Sequence, residues 1–210
     1  VTITGNPENW TNKDATLHVK AKDDASGIEK VTITQVVDGK EESKDVNFTT
    51  NEDGSIDLDY TVDKNQTIKI SVTDKAGNTT TKTIVVDKID KEKPTLKAPT
   101  AVATTNTVTV TFNQTDALSG IDEETIRYAI RKQGEDEWEI VQNSEKVNTF
   151  IKRTKDTLYE VKTIAKDKAG NEMESEIVTV RTLNLTEPLI RQNPETITNE
   201  NVKVTILAPD

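Results

Sequence analysis

The chain has 210 residues, room for one large domain or two of about 100. Its 27 basic and 37 acidic residues leave a net charge of −10 spread along the sequence, which repels phosphate and anionic lipid and excludes nucleic acid as an expected partner. The absence of cysteine removes disulfides, thiolate metal sites and cysteine nucleophiles, and no stretch has the apolar length of a membrane span, so no membrane insertion is expected within this chain.

Apolar residues make up only 32% of the chain, but they cluster in short alternating runs between polar turns, which suits narrow β-sandwich cores better than disorder. The first clear element is ATLHVKA at 15–21. It places Ala15, Leu17, Val19 and Ala21 on one face and Thr16, His18 and Lys20 on the other. VTI at 31–33, TIKISV at 67–72 and TKTIVV at 81–86 continue the strand pattern, separated by turn formers such as VDGK at 37–40 and NEDGS at 51–55. GIDEETIRYAIRK at 120–132 could open with a helical turn, but Tyr128 and Ile130 alternate as in a strand.

Two short phrases recur at one spacing. DKAGN occurs at 74–78 and 167–171, and SGI at 26–28 and 119–121, so both are offset by 93 residues (167 − 74 and 119 − 26). NPENWTNKDATLHV at 6–19 matches NPETITNENVKVTI at 193–206 at an offset of 187, close to twice that period. Repetition of this kind predicts tandem units, here 1–92 and 93–186, with 187–210 as the first strands of a third. A start at Val1 and a stop in mid-pattern read as a piece of a longer protein. About seven short strands per unit predict an all-β fold of tandem immunoglobulin-like sandwiches, and the Pro-bearing linkers at 87–95 and 184–189 predict an elongated rod.

The second unit, with TVTVTFNQTDALSGIDEETIRYAIRKQGEDEW and TLYEVKTIAKDKAGNEMESEIVTVRT, resembles a fibronectin type III domain. The resemblance makes Tyr159 the tyrosine-corner residue and puts Trp138 after the C–C′ turn. The first unit has Gln66 where the second has Tyr159, and its WTNKD, TDKAGNTTTKTI and VDKIDKEKPT are similar to the Ig-like repeats of Gram-positive surface proteins. That resemblance implies an extracellular, cell-surface setting in a bacterium and a non-catalytic spacer or stalk whose partners are neighbouring repeats. Two rival roles remain open: an adhesin that binds a host protein or glycan, and an accessory module of a large secreted glycosidase or protease.

If the units follow the family topology, SGI and DKAGN fall in loops at the same end of each sandwich. Asp23, Asp24 and Asp74 then converge in the first unit and Asp116 and Asp167 in the second, which the linker residues Asp87 and Asp90 enter. The arrangement is similar to cadherin linkers, and Asp87, Asp90, Asp116 and Asp167 are the calcium ligands it implies, calcium wanting six to eight oxygens. The competing account is turn chemistry, in which Asp accepts backbone N–H bonds and Gly supplies a positive φ. Lys88, Lys91 and Lys93 interrupt the linker carboxylates, and turn chemistry is the preferred expectation, with no cofactor.

No catalytic residue is nominated. His18, the single histidine, lies opposite Leu17 and Val19 and reads as solvated, and no nucleophile elbow, phosphate loop or HExxH accompanies it. Trp10 and Trp138 could stack on a sugar or a protein partner, but Trp10 precedes a strand near a unit boundary, where packing is the commoner fate, and aromatics at 4% of the chain offer no binding platform. Asn9, Asn47, Asn65, Asn78, Asn113 and Asn184 head N-x-Thr sequons that a Thr-rich chain produces by chance. No lysine interrupts an apolar face in a way that nominates an isopeptide bond.

Overall fold

The computed structural model describes residues 1–37, 39–184, 189–193 and 203–207. All regular structure in them is strand. In chain order these are β1 (Thr2–Thr4), β2 (Ala15–Ala21), β3 (Ile28–Val37), β4 (Lys40–Val46), β5 (Thr49–Thr50), β6 (Ile56–Val62), β7 (Gln66–Asp74), β8 (Thr79–Val86), β9 (Thr95–Leu96) and β10 (Thr100–Ala103). They continue as β11 (Val108–Thr111), β12 (Gln114–Thr115), β13 (Ile121–Lys132), β14 (Glu139–Gln142), β15 (Val147–Phe150), β16 (Leu158–Asp167), β17 (Glu172–Glu174), β18 (Val178–Arg181), β19 (Leu189–Asn193) and β20 (Lys203–Leu207). The all-β expectation holds, and 121–132 is strand without an opening helical turn.

The chain divides into two compact units. One comprises Val1–Thr95 with the segments Thr115–Asp122 and Ala165–Met173; the other holds Leu96–Gln114, Glu123–Ile164 and Glu174–Asp210. In the first, sheets ordered β1-β2-β6-β5 and β4-β3-β7-β8 share one core. β2 alternates as its sequence predicts, burying Ala15, Leu17, Val19 and Ala21. Opposite them lie Val31 and Ile33 of β3 and Ile68, Ile70 and Val72 of β7, so two half-buried faces close on each other. β4, KEESKDV, is exposed almost throughout and forms a sheet edge, where charge discourages pairing with another chain. Gly5 is required by geometry: its φ is +87°, and a Cβ there would lie 2.0 Å from the Thr16 carbonyl oxygen.

Strands β10-β11-β15 form one sheet of the second unit, while β13 and β16 are central in another, flanked by β14 and by β17 and β18. Its core gathers Val108, Val110, Ile126, Tyr128, Ile130, Phe150, Tyr159 and Val161. Tyr159 behaves as a tyrosine corner, its hydroxyl accepting the Thr154 amide at 2.9 Å. At the matching position of the first unit, the buried Oε1 of Gln66 has no hydrogen-bond partner. Of the expected third repeat, the described residues include the antiparallel pair β19–β20; the remainder of 187–210 lies outside them.

Candidate functional site

Both DKAGN copies are hairpin turns closed by their own aspartate. Asp74 Oδ1 accepts the amides of Ala76 (2.8 Å) and Asn78 (2.9 Å), while Asn78 Nδ2 donates to Asp74 Oδ2 at 2.8 Å. Asp167 repeats this with the Asn171 amide (2.9 Å) and Nδ2 (2.7 Å). Gly77 and Gly170 sit at φ 91° and 94°, where a side chain would strain the turn. Each lysine of the motif also donates its amide to the glycine of the neighbouring SGI, Lys75 to Gly27 and Lys168 to Gly120, both at 2.9 Å. The two repeated phrases therefore form one structural joint.

The SGI loops are closed by a second aspartate. Asp23 Oδ2 accepts the amides of Ala25, Ser26 and Gly27 at 3.2, 2.7 and 2.8 Å. Those bonds, the one from Gly27 foremost, hold the Asp23 carboxyl below its ordinary pKa. Asp74 is lowered too, first by the Asn78 amide group, against the opposing charge of Asp23. Asp116 Oδ1 accepts the amides of Leu118 (3.0 Å) and Gly120 (2.6 Å). Asp24, grouped with this set from the sequence, is exposed and pairs with Lys22 at 3.2 Å.

Three of the four expected calcium ligands meet. Carboxylate oxygens of Asp90, Asp116 and Asp167 lie within 4.8 Å of one another, and Asp90 and Asp167 are each only 1% exposed. Asp87 is exposed and is not in the group. All three belong to the first compact unit. Lys88 and Lys91, which were expected to oppose a cation, are engaged with the Glu8 carbonyl and the Asp14 carboxylate. The donor set suits a hard cation in kind, but three carboxylates fall short of the six to eight oxygens calcium takes. Both oxygens of Asp90 and of Asp167 and one of Asp116 already accept hydrogen bonds.

Asp90 reaches that position because the segment before it is fastened to the body of the first unit. Thr11 and Ile89 form a parallel bridge, with Thr11 N donating to Lys88 O (3.0 Å) and Asp90 N to Thr11 O (2.9 Å). Asn65 holds both polar atoms of the Ile89 backbone, accepting its amide at 2.8 Å and donating to its carbonyl at 2.9 Å. Ile89 itself is 3% exposed. Beyond Asp90, Asn171 Nδ2 donates to the carbonyls of Asp90 and Glu92, both at 2.9 Å. The roles of Thr11, Asn65, Ser119 and Asn171 were not read from the sequence, although Ser119 and Asn171 stood inside the repeated phrases and Asn65 headed a sequon.

The other candidates have structural roles. His18 is half-exposed and bonded to Asp59 at 2.6 Å across β2–β6. Trp138 is capped by Arg131 (4.4 Å) and Lys162 (4.8 Å), and these cations are held by Glu160 and Glu174. That indole is committed to its own chain. Trp10 is half-buried. The sequon residues Asn65 and Asn78 use their amide nitrogens internally. No lysine is buried among the described residues.

The fold is that of an immunoglobulin or fibronectin type III sandwich. No protein-family model and no curated protein matches the sequence. Among solved structures, domains A168–A170 of titin match with a TM-score of 0.52 at 14% identity, over 84% of this chain and 61% of that one. The chain thus spans about three fifths of that structure's length. The FN1–FN3 domains of chicken CNTN1 match with a TM-score of 0.37 at 14% identity, over 87% of this chain and 66% of that one. A structure described as a myokine covers 43% of this chain at 19% identity, with a TM-score of 0.35.

Proposed function

We propose that this chain is a set of non-catalytic spacer repeats from a bacterial cell-surface or secreted protein, projecting another domain from its anchor. One observation carries the reading: residues 88–92 are bonded along their backbone by Thr11, Asn65 and Asn171, so this stretch is fastened to the body of the first unit. The acidic, self-repelling surface suits a module that must not stick to its surroundings. Partners on this reading are neighbouring repeats.

Pulling the chain between its termini in a force spectrometer tests the role. Cooperative unfolding events, with the 88–92 segment released only together with the first of them, are expected. Extension of that segment at low force would overturn the reading, and a host protein or glycan bound at micromolar affinity would replace it with an adhesive one. On this reading Asp90, Asp116 and Asp167 are the residues that would hold a calcium ion. Thermal melts in calcium and in chelator, on the natural chain and Asp90→Ala, test it: a calcium-dependent rise lost in the variant supports the ion, and superimposable melts reject it.

A further inference from the structure

The joint of SGI and DKAGN exists twice, and the two copies agree almost bond for bond. Gly77 N to Asp74 O and Gly170 N to Asp167 O are both 3.1 Å; the amides of Asn78 and Asn171 reach their aspartates at 2.9 Å. The copies part at the serine. In the first, Ser26 gives its amide (2.7 Å) and its hydroxyl (3.2 Å) to Asp23 Oδ2. In the second, the Ser119 amide goes to Asp90 Oδ2 at 3.0 Å, while the hydroxyl of this residue, only 5% exposed, has no hydrogen-bond partner. A buried hydroxyl beside three carboxylates is expected to donate to one of them, and leaving it unpaired costs stability. The charge of the group is also unanswered. Lys88 and Lys91 are engaged with the Glu8 carbonyl and Asp14, and Lys166 with Glu172 at 3.8 Å. Among the described residues no cation pairs with Asp90, Asp116 or Asp167, although two of them are buried and like charges at this range repel.

We propose that Ser119 Oγ is the fourth protein ligand of a calcium ion held by Asp90, Asp116 and Asp167, and that this site takes calcium in preference to magnesium. The inference rests on the calcium reading of the three carboxylates and adds the hydroxyl and the selectivity to it. One divalent cation answers both observations, bringing positive charge to the carboxylates and a partner to the hydroxyl oxygen. The spacing suits calcium. Oxygens bound to one calcium at about 2.3–2.6 Å stand up to about 4.6–5.2 Å apart. The three carboxylates lie within 4.8 Å of one another, so one ion reaches all of them as they stand. Magnesium allows only about 4.0–4.2 Å and holds to a strict octahedron, against carboxylates already pinned by backbone amides. Both bonds to Asp116 end on Oδ1, which leaves its Oδ2 open, and an oxygen that accepts one hydrogen bond keeps a second lone pair. Water completes the six to eight oxygens. All four residues belong to the first compact unit. The other copy of the joint lacks the site twice over: no third carboxylate joins Asp23 and Asp74 among the described residues, and the Ser26 hydroxyl is spent on Asp23.

Calcium itself is the probe, titrated calorimetrically into the full chain after chelator has been removed, with Asp90→Ala, Ser119→Ala and Ser26→Ala measured beside it. Binding of one ion per chain is expected, lost in Asp90→Ala, weakened at least about tenfold in Ser119→Ala and unchanged in Ser26→Ala. Thermal melts give a second reading that changes sign. In chelator Ser119→Ala should melt at or above the natural chain, because it deletes a buried hydroxyl without a partner; in calcium at the natural chain's half-saturating concentration it should melt below it. Magnesium should bind at least about tenfold more weakly than calcium. Calcium lost in Asp90→Ala but held equally by Ser119→Ala would leave the carboxylate site standing and remove Ser119 from it. Equal affinity for magnesium would overturn the selectivity. A natural chain that binds no calcium would sink the carboxylate reading and this inference together.

Discussion

Tyr128 is fully buried, and its hydroxyl donates to the Glu145 carbonyl at 2.7 Å. Burial, with the Glu145 charge second, pushes its pKa from 10.0 up to about 12. The folded chain therefore keeps a proton that the unfolded chain has lost between roughly pH 10 and 12, so stability falls as pH rises through that window. Two units are worth about 2.7 kcal/mol when both states are ionised. Tyr128→Phe removes the whole effect, and at neutral pH it costs about 1 kcal/mol for the lost hydrogen bond. The two proteins must therefore cross: phenylalanine is less stable by about 1 kcal/mol at pH 8 and more stable by about 1.5 kcal/mol near pH 12. Urea unfolding followed by Trp138 fluorescence reads this directly, because Trp138 and Tyr128 share a unit. Lysines and the other tyrosines titrate in both proteins and cancel in the difference. Parallel loss of stability from pH 8 to 12 would show that the Tyr128 hydroxyl reaches solvent, and the burial argument would fail.

Asn65→Ala leaves the Ile89 amide and carbonyl without partners and should cost the first unit about 2 kcal/mol. Faster hydrogen exchange at the Ile89 amide is the companion signal, and an unchanged rate would mean that Asn65 does not fasten the segment. Gly5→Ala should destabilise the same unit by at least about 2 kcal/mol, since its Cβ meets backbone and its φ stays positive; a neutral melt would contradict that geometry. The Asp23 pKa is depressed, so its contribution is present above about pH 4 and lost as pH falls through the folded value. Asp23→Asn should therefore flatten the acid side of a midpoint-against-pH curve from pH 7 to 2.5, and an equally steep curve would remove Asp23 from acid unfolding.

The strands were legible because burial in a sandwich follows period two, and β2 wrote that period without interruption. The tyrosine corner was legible because Tyr159 sat in a recognisable strand. Its loss in the first unit showed only as Gln66, and the cost of that substitution, a buried oxygen without a partner, needed coordinates. The three carboxylates that meet were all among the four named from the sequence. Asp116 and Asp167 are tied to repeated phrases, whereas Asp87 and Asp90 looked equivalent in VDKIDKEKP. What separates them is the bonding around Ile89: Asn65 holds the Ile89 backbone, Thr11 takes the Asp90 amide, and the Asp90 carboxylate accepts the Glu92 and Ser119 amides, while Asp87 stays exposed. The partners of Trp138 were not legible, since Arg131 and Lys162 reach it only across neighbouring strands.

Repetition of DKAGN has a cause for each of its polar positions. Aspartate closes the turn, lysine's amide joins the turn to SGI, and glycine supplies the left-handed φ. The asparagine has a second use that one copy alone would conceal. In the first copy it satisfies Asp74, as turn chemistry requires. In the second it also holds the Asp90 and Glu92 carbonyls, so the residue that finishes a hairpin is also the one that grips an arriving segment. Hairpin closure accounts for asparagine in both copies, and the grip on residues 90 and 92 is added only where that segment lies against the turn.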